Sequence, residues 1–216
     1  MNGTRAIPWP ALLTCAALAA AEEPLLRVSE LEAAPGRTIA VSAPVLGKDL
    51  AAAAEHFIAR RDGEQWSLEP KAGEATIVLE RPGAVLIALT SAPRDGVVYS
   101  LKAIARARGA GPASAGAVRR VGQPLELTPL VDPTRSRPGE DLPLRLHWDG
   151  STRAGATVSV EGPGGDPKLS LTTDPVGAAH FRVTRPGRWL VRATHEAEKT
   201  RHVAELTFVV SGEERR

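Results

Sequence analysis

Five histidines carry most of the chemistry this chain could perform: His56, His147, His180, His195 and His202. His195, Glu196, Glu198 and His202 form the densest set. The apolar runs on either side predict two strands, one ending at His195 and the next beginning at His202, so a hairpin would bring the two imidazoles together. Neutral imidazoles with carboxylates suit nickel, cobalt or zinc. His195, His202, Glu196 and Glu198 are therefore the candidate metal ligands, and Ni, Co or Zn the candidate ions. The plainer reading of this segment, and the one its Glu, Lys and Arg content favours, is a solvated hairpin tip. His147 and His180 lie inside strand patterns, as face or edge residues, and His56 stands beside Phe57 with no further pattern.

Other chemistry is not signalled. No HExxH pair, no finger spacing of Cys and His and no DxDxDG calcium loop is present. There is no G-x-S-x-G elbow and no S-x-x-K with its companion motifs. Acidic residues are plentiful, but no spacing fixes a pair for glycoside hydrolysis. Gly162-Pro163-Gly164-Gly165 is followed by no lysine-bearing helix start and is not a phosphate cradle. The expectation is a protein without catalytic residues. Trp66, Trp148 and Trp189 could stack sugars, but they fall near turns and strand ends, where packing is commoner. Trp189 in particular stands where a sandwich needs a large core residue.

A repeat marks the strands and turns that carry these residues. Pro35-Gly36-Arg37-Thr38-Ile39-Ala40-Val41 is echoed by Pro138-Gly139-Glu140-Asp141-Leu142-Pro143-Leu144, and Arg81-Pro82-Gly83-Ala84-Val85 by Arg185-Pro186-Gly187-Arg188-Trp189. The spacing is 47 residues from Pro35 to Pro82 and 48 from Pro138 to Pro186, as a duplicated supersecondary unit would give. The turn residues are thus Pro35, Gly36, Pro82, Gly83, Pro138, Gly139, Pro186 and Gly187, joined by Asp174 and Gly177 in a tight turn of the second copy. Asp62-Gly63 and Asp149-Gly150 are hairpin signals. Leu25 to Leu31, Arg37 to Val45, Phe57 to Arg61, Ala75 to Leu79, Ala84 to Leu89 and Val97 to Ile104 read as strands, with a helical turn after Asp49. The second copy repeats the pattern to Val210.

Short strands with turns every 8–12 residues define an all-β fold, two tandem immunoglobulin-like or transthyretin-like β-sandwich domains after a signal peptide. The signal peptide occupies 1–21, with Arg5 as its basic end and Ala19-Ala20-Ala21 as its cleavage site. An N-terminal sandwich takes 22–104, a linker or long loop 105–121, a C-terminal sandwich 122–211 and a tail 212–216. Cys15 leaves with the leader, or anchors a lipoprotein if Leu12-Leu13-Thr14-Cys15 serves as a lipobox. The expected location is periplasmic or secreted. Losing the leader removes one of 27 basic residues and none of 25 acidic ones, a near-neutral balance that gives no basis for nucleic-acid binding. No later stretch is apolar enough for a transmembrane helix. A protein or glycan partner, or a divalent metal, is what remains.

Gly122-Gln123-Pro124-Leu125-Glu126-Leu127-Thr128-Pro129, Asp132-Pro133 and Pro138-Gly139-Glu140-Asp141-Leu142-Pro143-Leu144 resemble a bacterial family, domain-of-unknown-function family 4198. So do Ala154-Gly155-Ala156-Thr157-Val158, Thr173-Asp174-Pro175-Val176-Gly177 and Arg185-Pro186-Gly187-Arg188-Trp189-Leu190-Val191. The resemblance covers Val97 to Val210 well and Leu25 to Leu89 loosely. It implies a periplasmic component associated with nickel or cobalt uptake. Typical members begin the mature chain with a histidine and an aromatic-rich segment, where this chain has Glu22-Glu23-Pro24-Leu25-Leu26-Arg27.

Overall fold

A computed structural model describes residues 23–109, 115–165 and 167–212. The expected leader at 1–21 with Cys15, part of the expected loop and most of the tail lie outside them. The first repeat forms β1 (Arg27–Val28), β2 (Glu32–Ala33), β3 (Arg37–Ser42), β4 (Ala54–Arg61), β5 (Glu64–Ser67), β6 (Glu74–Leu79), β7 (Gly83–Ser91) and β8 (Val97–Ala107). The second forms β9 (Leu125–Pro129), β10 (Asp141–Trp148), β11 (Ser151–Thr152), β12 (Thr157–Glu161), β13 (Leu169–Thr172), β14 (Ala178–Arg182), β15 (Gly187–Ala197) and β16 (Thr200–Val210). A single helical turn, α1 (Leu50–Ala53), precedes β4, and Asp49 makes no side-chain cap there.

Both Asp-Gly signals become hairpin turns with positive φ at both residues, Asp62-Gly63 between β4 and β5 and Asp149-Gly150 between β10 and β11. In the expected tight turn, the Asp174 carboxylate accepts from the amides of Val176 and Ala178, and its carbonyl accepts from Gly177. Two strands differ from expectation. The run from Leu25 pairs only at Arg27 and Val28, because the Leu25 and Leu26 amides are given to the Glu205 carboxylate instead of a strand ladder. β8 runs past Ile104 to Ala107, since Ala105 and Ala107 face a core and pair with Val85 and Gly83.

Three sheets result. β1-β3-β6 and β11-β10-β14, with β9 beside β10, are separate small sheets. The rest joins into one nine-stranded sheet, β13-β12-β15-β16-β8-β7-β4-β5, with β2 added on β8. The two repeats therefore share a sheet. They meet through their last strands, which run parallel, Arg201 opposite Val97 through Phe208 opposite Ile104.

The cores lie on opposite faces of that sheet. Phe57, Ala59, Val85, Ile87, Leu89, Leu101 and Ala103 pack beneath β1-β3-β6. Val158, Val160, Trp189, Val191, Leu206 and Phe208 pack on the other face, beneath β9, β10 and β14. A two-fold rotation along the β8–β16 junction accounts for both facts, for it keeps the last strands parallel while reversing their faces. Register locates the matching positions. Val85 pairs with Ala105 as Trp189 pairs with Phe208, so Lys102 matches Glu205. Likewise Leu25 and Leu26 match Glu126 and Leu127.

Those matching positions hold the junction together. Lys102 Nζ lies 2.5 Å from Glu126 Oε1 and 3.0 Å from the Leu127 carbonyl, with both side chains sealed from solvent. On the opposite face, Glu205 accepts from the Leu25 and Leu26 amides and from Arg192 Nε at 2.8 Å. Each repeat thus sends one buried charge from its last strand into the first strand segment of the other. Gln123, also buried, donates to the Leu89 and Leu101 carbonyls across the same junction.

The repeated Pro-Gly turns differ in their crowding. At Gly187 (φ 129°) an added Cβ would stand 2.6 Å from Pro163 Cβ, while at Gly83 (φ 123°) it would meet nothing within 4 Å. Both positions disfavour an L side chain, but only the first adds a clash. Gly187→Ala is expected to lose roughly 2–3 kcal/mol, and Gly83→Ala clearly less, in urea denaturation.

Candidate functional site

The β15–β16 hairpin sets His195 directly opposite His202. Strand alternation turns both toward the core beneath β10, and Trp148, the last residue of β10, closes against them. The Trp148 ring is 4.4 Å from that of His195 and 4.6 Å from that of His202, in edge contact with each. The three rings form the end wall of the second sandwich, half-buried beside the Asp149-Gly150 turn.

This packing favours neutral imidazoles. Burial pushes His195 below its usual range, helped by the charge of Arg153 and opposed by Glu196. Burial does the same for His202, helped by His195 and opposed by Glu196. The Nδ1 atom of His202 is buried and has no hydrogen-bond partner. A neutral imidazole with an uncommitted nitrogen is the form that ligates metals.

The two carboxylates are placed differently. Glu196 alternates to the other face of the strand and lies 3.7 Å from Arg201, in an exposed pair of small energetic weight. Glu198 occupies the turn itself, exposed, at φ 55°. The hairpin therefore unites His195, His202 and Trp148, not the full His and Glu set. Among the described residues no group of three or more His, Cys, Asp or Glu is arranged to hold a metal ion. As a metal site this is a two-point attachment, with the remaining positions of the ion left to water or a second molecule.

The first repeat does not share the site. The positions matching His195 and His202 carry Ser91 and Tyr99, where the Tyr99 amide donates to the Ser91 hydroxyl. Of the other histidines, His56 and His180 are exposed on their strands. His147 is buried, beyond what a face residue suggests. Burial first and the Arg120 charge second hold its imidazole low. Trp189 is the core residue expected, its ring tilted against that of Phe181 at 5.3 Å between centroids. Trp148's neighbours were not legible, because nothing in sequence distance ties β10 to the β15–β16 tip. The roles of Lys102, Glu126 and Glu205 are no more legible in the sequence. The signal available was a lone charge inside an apolar run, as in Leu125-Glu126-Leu127.

Residues 101–197 match the sequence model of the family described as Domain of unknown function (DUF4198), bearing out the family resemblance from β8 to the end of β15. The matched segment includes Trp148 and His195 and stops short of His202. No curated protein matches the chain. Among solved structures, the chain is similar to the D0-D1 domain of intimin (16% identity, TM-score 0.25, covering 85% of this chain and 96% of that one). It is also similar to a two fibronectin type-III domain segment from chicken tenascin (12% identity, TM-score 0.28, covering 87% and 97%). A third is a Bacteroides ovatus protein of a mixed-linkage glucan utilization locus in complex with a mixed-linkage heptasaccharide (13% identity, TM-score 0.23, covering 88% and 45%). The fold class, two tandem β-sandwiches of immunoglobulin-like kind, rests on the strand topology. No helix of the described residues is long and apolar enough to cross a membrane.

Proposed function

We propose that the protein is an exported, non-enzymatic binding or accessory module of the cell envelope that holds a transition-metal ion, nickel, cobalt or zinc, between His195 and His202. The observation that carries this reading is the pairing of two imidazoles across one hairpin, both biased to the neutral state, one with a buried nitrogen that has no partner. Two imidazoles suit all three ions. A site with two protein ligands releases its ion more readily than a closed tetrahedral one, as an accessory carrier requires.

Trp148 supplies the reporter. An ion held by both imidazoles lies beside its ring, so Ni²⁺ or Co²⁺ should quench part of the tryptophan emission, and Trp148→Phe should abolish that response while leaving the fold intact. A response retained in Trp148→Phe would place the ion elsewhere and defeat the assignment. The second reading, a module binding a protein or glycan of the envelope, is favoured by a separate groove in the first sandwich.

A further inference from the structure

The groove lies between β5 and β6, the outer strands of the two sheets that enclose the first core. Its volume is about 560 Å³, within the range of small-ligand sites. Arg61, the last residue of β4, shares a strand face with the core residues Phe57 and Ala59 and contributes to the wall. Its side chain has an unusual position for a permanent cation. Arg61 is only 5% exposed, and its Nε and Nη2 atoms are buried with no hydrogen-bond partner. Glu64 stands opposite it in the hairpin register, yet Glu64 reaches outward to Arg81 at 3.7 Å. Burial is the largest influence disfavouring the Arg61 charge. Arg81 adds to it, against the opposing charges of Asp62, Glu80 and Glu64. A guanidinium does not lose its proton in a protein, so such a group calls for an anion.

The rest of the wall narrows the choice. Two unpaired N–H groups on one guanidinium form a fork that fits a planar carboxylate, and because both nitrogens are closed to solvent the side chain must turn toward the groove to present it. Trp66, half-buried and packed against the first core, lines the same groove. Ser67, Glu69, Thr76 and Glu80 line it as well, and their oxygens accept from hydroxyl groups. Glu64 and Arg81 line the groove too, so its wall holds three carboxylates against two guanidinium groups, and an anion enters only with hydroxyls that donate to those carboxylates. A pyranose ring bearing both hydroxyls and a carboxylate uses every part of the wall. We propose that this groove is a binding site for an acidic saccharide, in which Arg61 holds the carboxylate of a uronic acid residue and Trp66 stacks on its ring.

The test is calorimetric titration of the protein with tetragalacturonate, the matched fully methyl-esterified tetrasaccharide, and a tetrasaccharide of glucuronate. Binding of at least one acidic saccharide is expected, with the ester at least about tenfold weaker, as loss of a charged hydrogen-bond pair implies. Arg61→Gln and Trp66→Ala should each weaken the acidic ligand by at least about tenfold. Arg61→Gln should melt no lower than the parent, since it removes an unpaired buried charge, so lost binding could not be ascribed to unfolding. His195→Ala with His202→Ala should leave saccharide binding unchanged, which separates this site from the metal reading. Failure of both acidic saccharides to bind at millimolar concentration, equal affinity for the ester, or full affinity in Arg61→Gln would overturn the proposal. So would a groove that takes up only an extended peptide along the β5 edge.

Discussion

Lys102→Met is expected to destabilise the protein by about 3–5 kcal/mol, the cost of stranding a buried charge. Lys102 and Glu126 are both fully enclosed where the two repeats meet. Besides the ammonium, Glu126 accepts from the Val121 and Gly122 amides at 2.6 and 3.1 Å. Burial alone would raise this carboxyl, but the Lys102 charge and these hydrogen bonds outweigh it and hold Glu126 below the usual carboxylate range. Removing the lysine leaves the anion with the amides and a partly exposed Arg120 at 3.7 Å. The double variant Lys102→Met, Glu126→Leu should recover part of the loss but not all, because Val121 and Gly122 then lose their acceptor. Urea denaturation of the three proteins reads this directly. The pH dependence follows from the sign of the shift. A lowered carboxyl contributes stability that is complete above its unfolded value and is lost as pH falls through its folded value. The parent should therefore lose more stability on acidification than the double variant does. Equal stability of Lys102→Met and the parent would show that the pair does not hold the junction.

Glu205→Ala is expected to cost about 3–4 kcal/mol and to loosen the chain at Leu25 and Leu26. The carboxylate is fully buried and accepts two backbone amides together with Arg192. Its loss leaves those amides without an acceptor next to the first core, into which Leu26 is packed. Hydrogen exchange localises the effect. The Leu25 and Leu26 amides should exchange much faster, while the amides of β15 and β12 keep their protection. Uniform acceleration across the second sandwich would mean that Glu205 supports that core and not the junction. The matched positions of Lys102 and Glu205 make the two variants a pair. Each tests one face of the same two-fold junction.

Local structure was largely legible in the sequence. Asp62-Gly63, Asp149-Gly150 and the Asp174-to-Gly177 turn dictate their own backbone, because positive φ and side-chain capping are properties of a few adjacent residues. Alternation in Ala75 to Leu79 and Leu142 to Trp148 gave strand and inward face together. The sharing of one sheet was not legible. β8 and β16 pair in parallel across about a hundred residues of chain, and a strand buried on both faces shows only an apolar run, whatever its neighbour. The buried charges were the missing sign. Lys102 and Glu205 interrupt such runs because each must reach a partner from the other repeat. At the candidate site, the meeting of His195 with His202 follows from hairpin register and was foreseeable. Trp148 comes from a different sheet, and Glu196 and Glu198 were grouped with the histidines by closeness in sequence, which a strand divides between its faces. Arg61 ends the Phe57-to-Arg61 strand with no signal of its own in the sequence, and only packing reveals that it is buried.

Calorimetric titration with Ni²⁺, Co²⁺ and Zn²⁺ of the protein and of its His195→Ala, His202→Ala variant decides whether the two imidazoles hold a metal ion. Saturable binding of at least one ion is expected at micromolar or tighter affinity, one ion per chain, lost in the variant while its melting remains cooperative. No heat with any of the three ions, or binding undiminished in the double variant, would contradict it.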